Sequence, residues 1–101
     1  MKSLENYIEG FRHAFANGGS LPASARMDID GAGSIHIADG QVSDRKDPAD
    51  CIMQTSHELY DELFHGTADP AIAFAMAKLK INGEMSVALA MQPLFAKARD
   101  A

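Results

Sequence analysis

The sequence predicts an α+β fold: a five-stranded, largely antiparallel sheet covered by helices on one face. Three observations carry that prediction. Apolar residues recur every three or four positions along the first segment, the spacing of one helical face. Between Ala25 and Thr55 the period falls to two, with turn residues between the runs. Helical spacing then returns, interrupted once by the alternating stretch Lys78-Leu79-Lys80-Ile81. Strands followed by helices bury one sheet face beneath a helical layer.

The elements follow in order. Leu4, Ile8, Phe11 and Phe15, widened by Tyr7 and Ala14, form the apolar stripe of a first helix, which Asn17-Gly18-Gly19 ends. Ala25, Met27 and Ile29 alternate with Arg26, Asp28 and Asp30, and Ile35 and Ile37 with Ser34 and His36, giving strands with one wet face. Gly31-Ala32-Gly33 separates these strands, and Asp39-Gly40 is a tight hairpin signal because both residues tolerate positive φ. A short strand over 41–44 and a strand over 50–55 complete a meander, the latter with Cys51, Met53 and Thr55 on one face. Thr55 and Glu58 have capping-box spacing, so a second helix starts at Thr55, buries Leu59, Tyr60, Leu63 and Phe64, and stops at Gly66. Asp69-Pro70 opens a short Ala-rich helix to about Met76. Lys78 to Ile81 is the fifth strand, broken by Gly83. A last helix from Glu84 carries Met85, Val87, Ala88, Leu89 and Met91, with a kink or an end expected at Pro93.

Composition narrows the function classes. The 101 residues are 47% apolar and 23% charged, as in a folded domain, and the expected organisation is one domain over 1–101. The net charge of −5 and the scattered Lys and Arg residues speak against a nucleic-acid partner, which needs a basic stripe. No apolar run is long enough to span a bilayer, and Met1 to Glu9 has no apolar signal-peptide core, so no stable membrane anchor and a cytoplasmic location are expected. One cysteine, Cys51, makes neither an internal disulfide nor a multi-cysteine zinc site.

From Asp50 to Leu94 the chain resembles the sterol carrier protein 2 (SCP-2) family without gaps. The residues are Asp50, Ser56, Glu58, Leu63 and Gly66, then Pro70, Ala73 and Phe74, then Lys78-Leu79-Lys80-Ile81-x-Gly83, and finally Met85, Ala88 and Leu94. The run from Lys78 to Met85 is the most specific part. The resemblance implies an SCP-2-like sheet whose helical cover encloses an apolar tunnel for a lipid: fatty acid, fatty acyl-CoA or sterol-like. It implies binding and transfer, no catalysis and no cofactor. Ala77, Ala90 and Pro93 stand where the family commonly has Gly, Lys and Asn, and the N-terminal helical region is short. Those departures imply a more open groove, a smaller ligand, or closure by a partner chain.

The residues assigned to the pocket are Met53, Leu63, Phe64, Phe74, Met76, Leu79, Met85, Leu89 and Met91. Methionine is unbranched and polarizable and adapts to irregular ligands, although core packing uses it in the same way. Leu89→Asp is expected to abolish lipid binding if its helix lines the tunnel. Two other classes compete. One is a protein-interaction or dimerisation module, acting as a homodimer or beside a lipid-metabolising enzyme, which an exposed apolar patch would favour. The other is a ketosteroid-isomerase-like enzyme, which would need Asp28 buried beside an apolar pocket, whereas the alternation puts Asp28 and Asp30 on the wet face. His57, Asp61 and His65 form a row on the second helix, without a metal-binding motif.

Overall fold

The computed structural model describes residues 1–100, and the chain order is α1 (Leu4–Ala16), β1 (Ala25–Asp30), β2 (Gly33–Ala38), β3 (Gln41–Ser43), β4 (Cys51–Ser56), α2 (His57–His65), α3 (Pro70–Ala75), β5 (Lys80–Gly83) and α4 (Met85–Arg99). One mixed sheet runs β3-β2-β1-β4-β5. Three of its pairings are antiparallel, and β1–β4 is parallel. The expected meander therefore stops at β3. The chain crosses from one edge to the far side of β1, because a parallel partner needs a long connection rather than a hairpin. That crossing sets Met27 beside Met53.

Alternation determines which sheet face is covered. Ala25, Met27, Ile29, Ile35, Ile37, Cys51, Met53 and Thr55 are buried, whereas the intervening residues face outward. The helices cover the inner face. Tyr7, Phe11, Tyr60, Phe64 and Phe95 meet beneath them with centroids 4.8 to 6.0 Å apart, in mostly edge-to-face pairs. Such pairs contribute beyond the area they bury.

Local signals explain most boundaries. Ser3 accepts a hydrogen bond from the Asn6 N–H at the start of α1. Asp39 and Gly40 both have positive φ in the β2–β3 turn. Gly66 ends α2 in the left-handed conformation, and Asp69 caps α3 through the N–H groups of Ala71 and Ile72. Three boundaries differ from expectation. Ser56, not Thr55, caps α2 by accepting from the Leu59 N–H. Thr55 stays in β4, where the parallel pairing with β1 holds it, and its hydroxyl donates to the Lys78 carbonyl at 3.2 Å. Strand β5 begins at Lys80 rather than Lys78, because the Lys78 and Leu79 N–H groups are spent on the Ala73 carbonyl closing α3. Finally, α4 runs through Pro93 to Arg99. Proline supplies no N–H to the Leu89 carbonyl, and packing of Met91, Leu94, Phe95 and Ala98 on the core carries the helix across that gap.

Ala77 occupies the left-handed region at φ 59°, which costs an L-residue roughly 1–2 kcal/mol. Ala77→Gly is expected to raise stability by about 1 kcal/mol and Tm by roughly 4–8 °C in a thermal melt.

Candidate ligand-binding cavity

An apolar cavity of about 30 Å³ lies between the inner sheet face and α4. Its inner end is formed by Met27 and Met53 on the central strands, Tyr60 and Leu63 on α2, and Met91 on α4. All five are buried. Its outer end is bordered by Pro70, Ile81, Ala88 and Gln92, which are partly or fully exposed. Leu79 and Phe95, both buried, complete the apolar lining. The wall is apolar because the even-spaced inward positions of β1 and β4 and one stripe of α4 meet there.

The polar groups at this wall are few. The Thr55 hydroxyl is committed to the Lys78 carbonyl. The Tyr60 hydroxyl donates to Met27 Sδ at 3.1 Å, and burial pushes the phenol well above its ordinary range. Asp28 borders the cavity but is not poised as a base. Burial raises its carboxyl, yet hydrogen bonds from Arg26 at 3.0 and 3.1 Å and from Ser34 at 2.8 Å outweigh that and hold it below the usual carboxylate range. A carboxylate so engaged takes up a proton poorly at neutral pH. Burial also pushes the Cys51 thiol up, which disfavours the nucleophilic thiolate.

Four of the nine pocket residues expected from sequence, Met53, Leu63, Leu79 and Met91, line this cavity. Phe64 is buried in the aromatic cluster instead. Phe74, Met76, Met85 and Leu89 lie at the surface with Ile72; Leu89 is 65% exposed. A carboxylate at position 89 would therefore stand in water, and Leu89→Asp does not probe the cavity. Met27, Tyr60, Ala88 and Phe95 were not among the expected pocket residues. Ala88 and Phe95 share the α4 stripe of Met91, and spacing alone did not separate that stripe from the exposed one carrying Met85 and Leu89. Met27 joins the site because β1 lies beside β4, and Tyr60 shares the buried α2 stripe of Leu63.

The histidine row does other work. His57 Nε2 donates to the Lys2 carbonyl at 2.8 Å, and His65 faces Asp61 at 3.5 Å. Asp61 accepts from the Tyr7 hydroxyl at 2.6 Å and the Lys2 N–H at 3.1 Å, joining α1 to α2. Burial raises the Asp61 carboxyl, but those hydrogen bonds outweigh it and the folded pKa is lowered. A depressed carboxyl contributes stability above its unfolded pKa of about 3.9, and that contribution is lost as pH falls through the folded value. Melts are expected to show a fall in Tm below about pH 4 that is shallower in Asp61→Asn.

Known proteins share this fold. The model of the SCP-2 sterol transfer family matches residues 19–96. The solution structure of sterol carrier protein 2 from Aedes aegypti in complex with palmitate superimposes with a TM-score of 0.77 at 11% identity, covering 92% of this chain and 94% of that one. Sterol carrier protein domain 2 of Helicoverpa armigera gives a TM-score of 0.60 at 25% identity over 97% and 77% of the two chains. A ubiquinone synthesis protein, UbiJ-SCP2, gives 0.57 at 17% identity over 89% and 78%. A search of curated protein sequences returns no match.

Proposed function

The chain belongs to the SCP-2 sterol transfer family, and we propose that it binds and transfers an apolar lipid between its sheet and α4 without covalent chemistry. The observation that carries this reading is the cavity itself: an apolar wall closed by methionines, at the place where the specific residues Leu79 and Ile81 meet α4. The palmitate held by the Aedes aegypti protein on the same fold supports a fatty acyl chain as one class of cargo. The cytoplasm is the proposed location. Among the described residues, no helix is long and apolar enough to cross a membrane.

The cavity is far smaller than the roughly 300–1,000 Å³ of ordinary ligand pockets, so uptake requires the cover to move. The segment ahead of Pro93 is the element suited to it. It is attached through a helix lacking one backbone hydrogen bond, and it carries apolar residues on both its inner and outer faces. Native mass spectrometry of protein purified without detergent, then incubated with fatty acid, fatty acyl-CoA and sterol, tests the reading. One bound lipid is expected. At 100 times its Kd it should add about 2.7 kcal/mol and raise Tm by roughly 10–20 °C. A bare chain after all three incubations would sink the carrier reading.

A second reading rests on Ile72, Phe74, Met76, Met85 and Leu89, which are exposed on or beside α3 and on α4. Exposed apolar surface of this kind suits a protein contact, with a second copy or with a lipid-metabolising enzyme. Sedimentation of the unliganded protein separates the two uses, because a dimer would appear without any lipid.

A further inference from the structure

We propose that Tyr60 is the polar anchor of the cavity, and that its hydroxyl donates to a neutral oxygen, a carbonyl or hydroxyl, carried by the lipid. This deepens the carrier reading and rests on it.

The case begins with what buried hydroxyls need. A phenol removed from water must donate its proton, and a good acceptor is an oxygen. Tyr60 is 2% exposed, and its hydroxyl reaches only the thioether of Met27, a weak acceptor. The two other hydroxyls nearby are better provided for: Tyr7 donates to the Asp61 carboxylate at 2.6 Å, and Thr55 to a backbone carbonyl. Tyr60 and Met27 both lie on the cavity wall at its inner end. The thioether thus holds the phenol until a ligand oxygen replaces it, and the unbranched methionine can turn aside.

The wall also selects the charge of that oxygen. Among the described residues, no Lys, Arg or His borders the cavity, and Asp28, whose carboxylate is paired with Arg26 on the outward sheet face, supplies no positive charge to it. A carboxylate or phosphate drawn to the inner end would lose its hydration for a single phenol donor, a poor exchange. A ketone, quinone, ester or alcohol oxygen loses far less and gains one well-oriented hydrogen bond. An anionic headgroup, if the ligand has one, belongs at the outer end near the exposed Gln92.

Paired ligands separate the anchor from packing. Methyl undecyl ketone and tridecane have similar chains and differ in one oxygen, and laurate supplies an anionic comparison. Affinities would be measured by nuclear magnetic resonance titration of wild type, Tyr60→Phe and Met27→Leu. Tyr60→Phe keeps the ring, so it is expected to weaken the ketone about fivefold while leaving tridecane within about twofold. Met27→Leu removes the competing acceptor and keeps the phenol, so it is expected to tighten the ketone relative to the alkane. Parallel changes in both ligands, no change in either, or a Tyr60→Phe loss confined to laurate would overturn the anchor while leaving the carrier reading intact. A wild-type protein that binds none of the three would overturn the carrier reading, and the anchor with it.

Discussion

Gly83→Ala is expected to cost about 3–5 kcal/mol and to lower Tm by roughly 15–30 °C, more than the same change at the other glycines of the chain. A Cβ at position 83 would clash with the Asp50 carbonyl oxygen and stand 3.1 Å from the Cys51 Cα. Both obstacles are backbone and cannot swing aside as a side chain would. The position also has φ 113°, a region that L-residues rarely enter. The Asp50 carbonyl it would strike accepts the Glu84 N–H at 2.9 Å, the bond that seats the start of α4. The Asp50 carboxylate in turn accepts from the Ser24 N–H at 3.1 Å and the Ser24 hydroxyl at 2.8 Å, tying the lead into β1 to the same point. Displacing Asp50 therefore disturbs the lead into β1, the β4–β5 pairing and the start of α4 together. Chemical denaturation with circular dichroism checks it. A loss below about 1 kcal/mol would mean that the β4–β5 junction yields easily.

Met91→Ala is expected to lose about 2–5 kcal/mol in the unliganded protein, and to regain more on lipid binding than wild type does. Met91 is 1% exposed and forms part of the cavity wall. Its truncation forfeits packing and leaves a void, which a lipid would then fill. The matching control is Leu89→Ala on the same helix. Leu89 is on the outer surface, and its loss is expected to change stability by no more than about 0.5 kcal/mol. Melts of both variants, with and without fatty acid, read the difference. A lipid-induced rise in Tm no larger in Met91→Ala than in wild type would place the lipid elsewhere.

The contrast between Met91 and Leu89 shows how far the site was legible. Helix α4 is apolar on both faces, so its spacing did not say which stripe meets the sheet. Its packing against α1 and α2 decided that, burying Val87, Met91, Leu94, Phe95 and Ala98 and leaving Met85 and Leu89 outside. The short α3 was ambiguous in the same way: Ala73 turns inward, and the larger Ile72 and Phe74 stay exposed.

What the sequence determined by itself is local. A period of two put Met27 and Ile29 on one face of their strand and Cys51 and Met53 on one face of theirs, and the turn chemistry of Asp39-Gly40, Gly66 and Asp69-Pro70 marked element ends, because these preferences act within a few residues. The residues from Lys78 to Met85 marked the family for the same reason: strand, glycine and helix start are contiguous there. Only the tertiary structure decided that β4 lies parallel to β1. That pairing joins segments 26 residues apart in register, such as Met27 with Met53, and no local signal specifies it. It also sets Met27 where the Tyr60 hydroxyl reaches its thioether, a weak acceptor at the wall of an apolar cavity. Pairing over that distance is selected by the burial that all the elements achieve together, so neither strand reveals it when read alone.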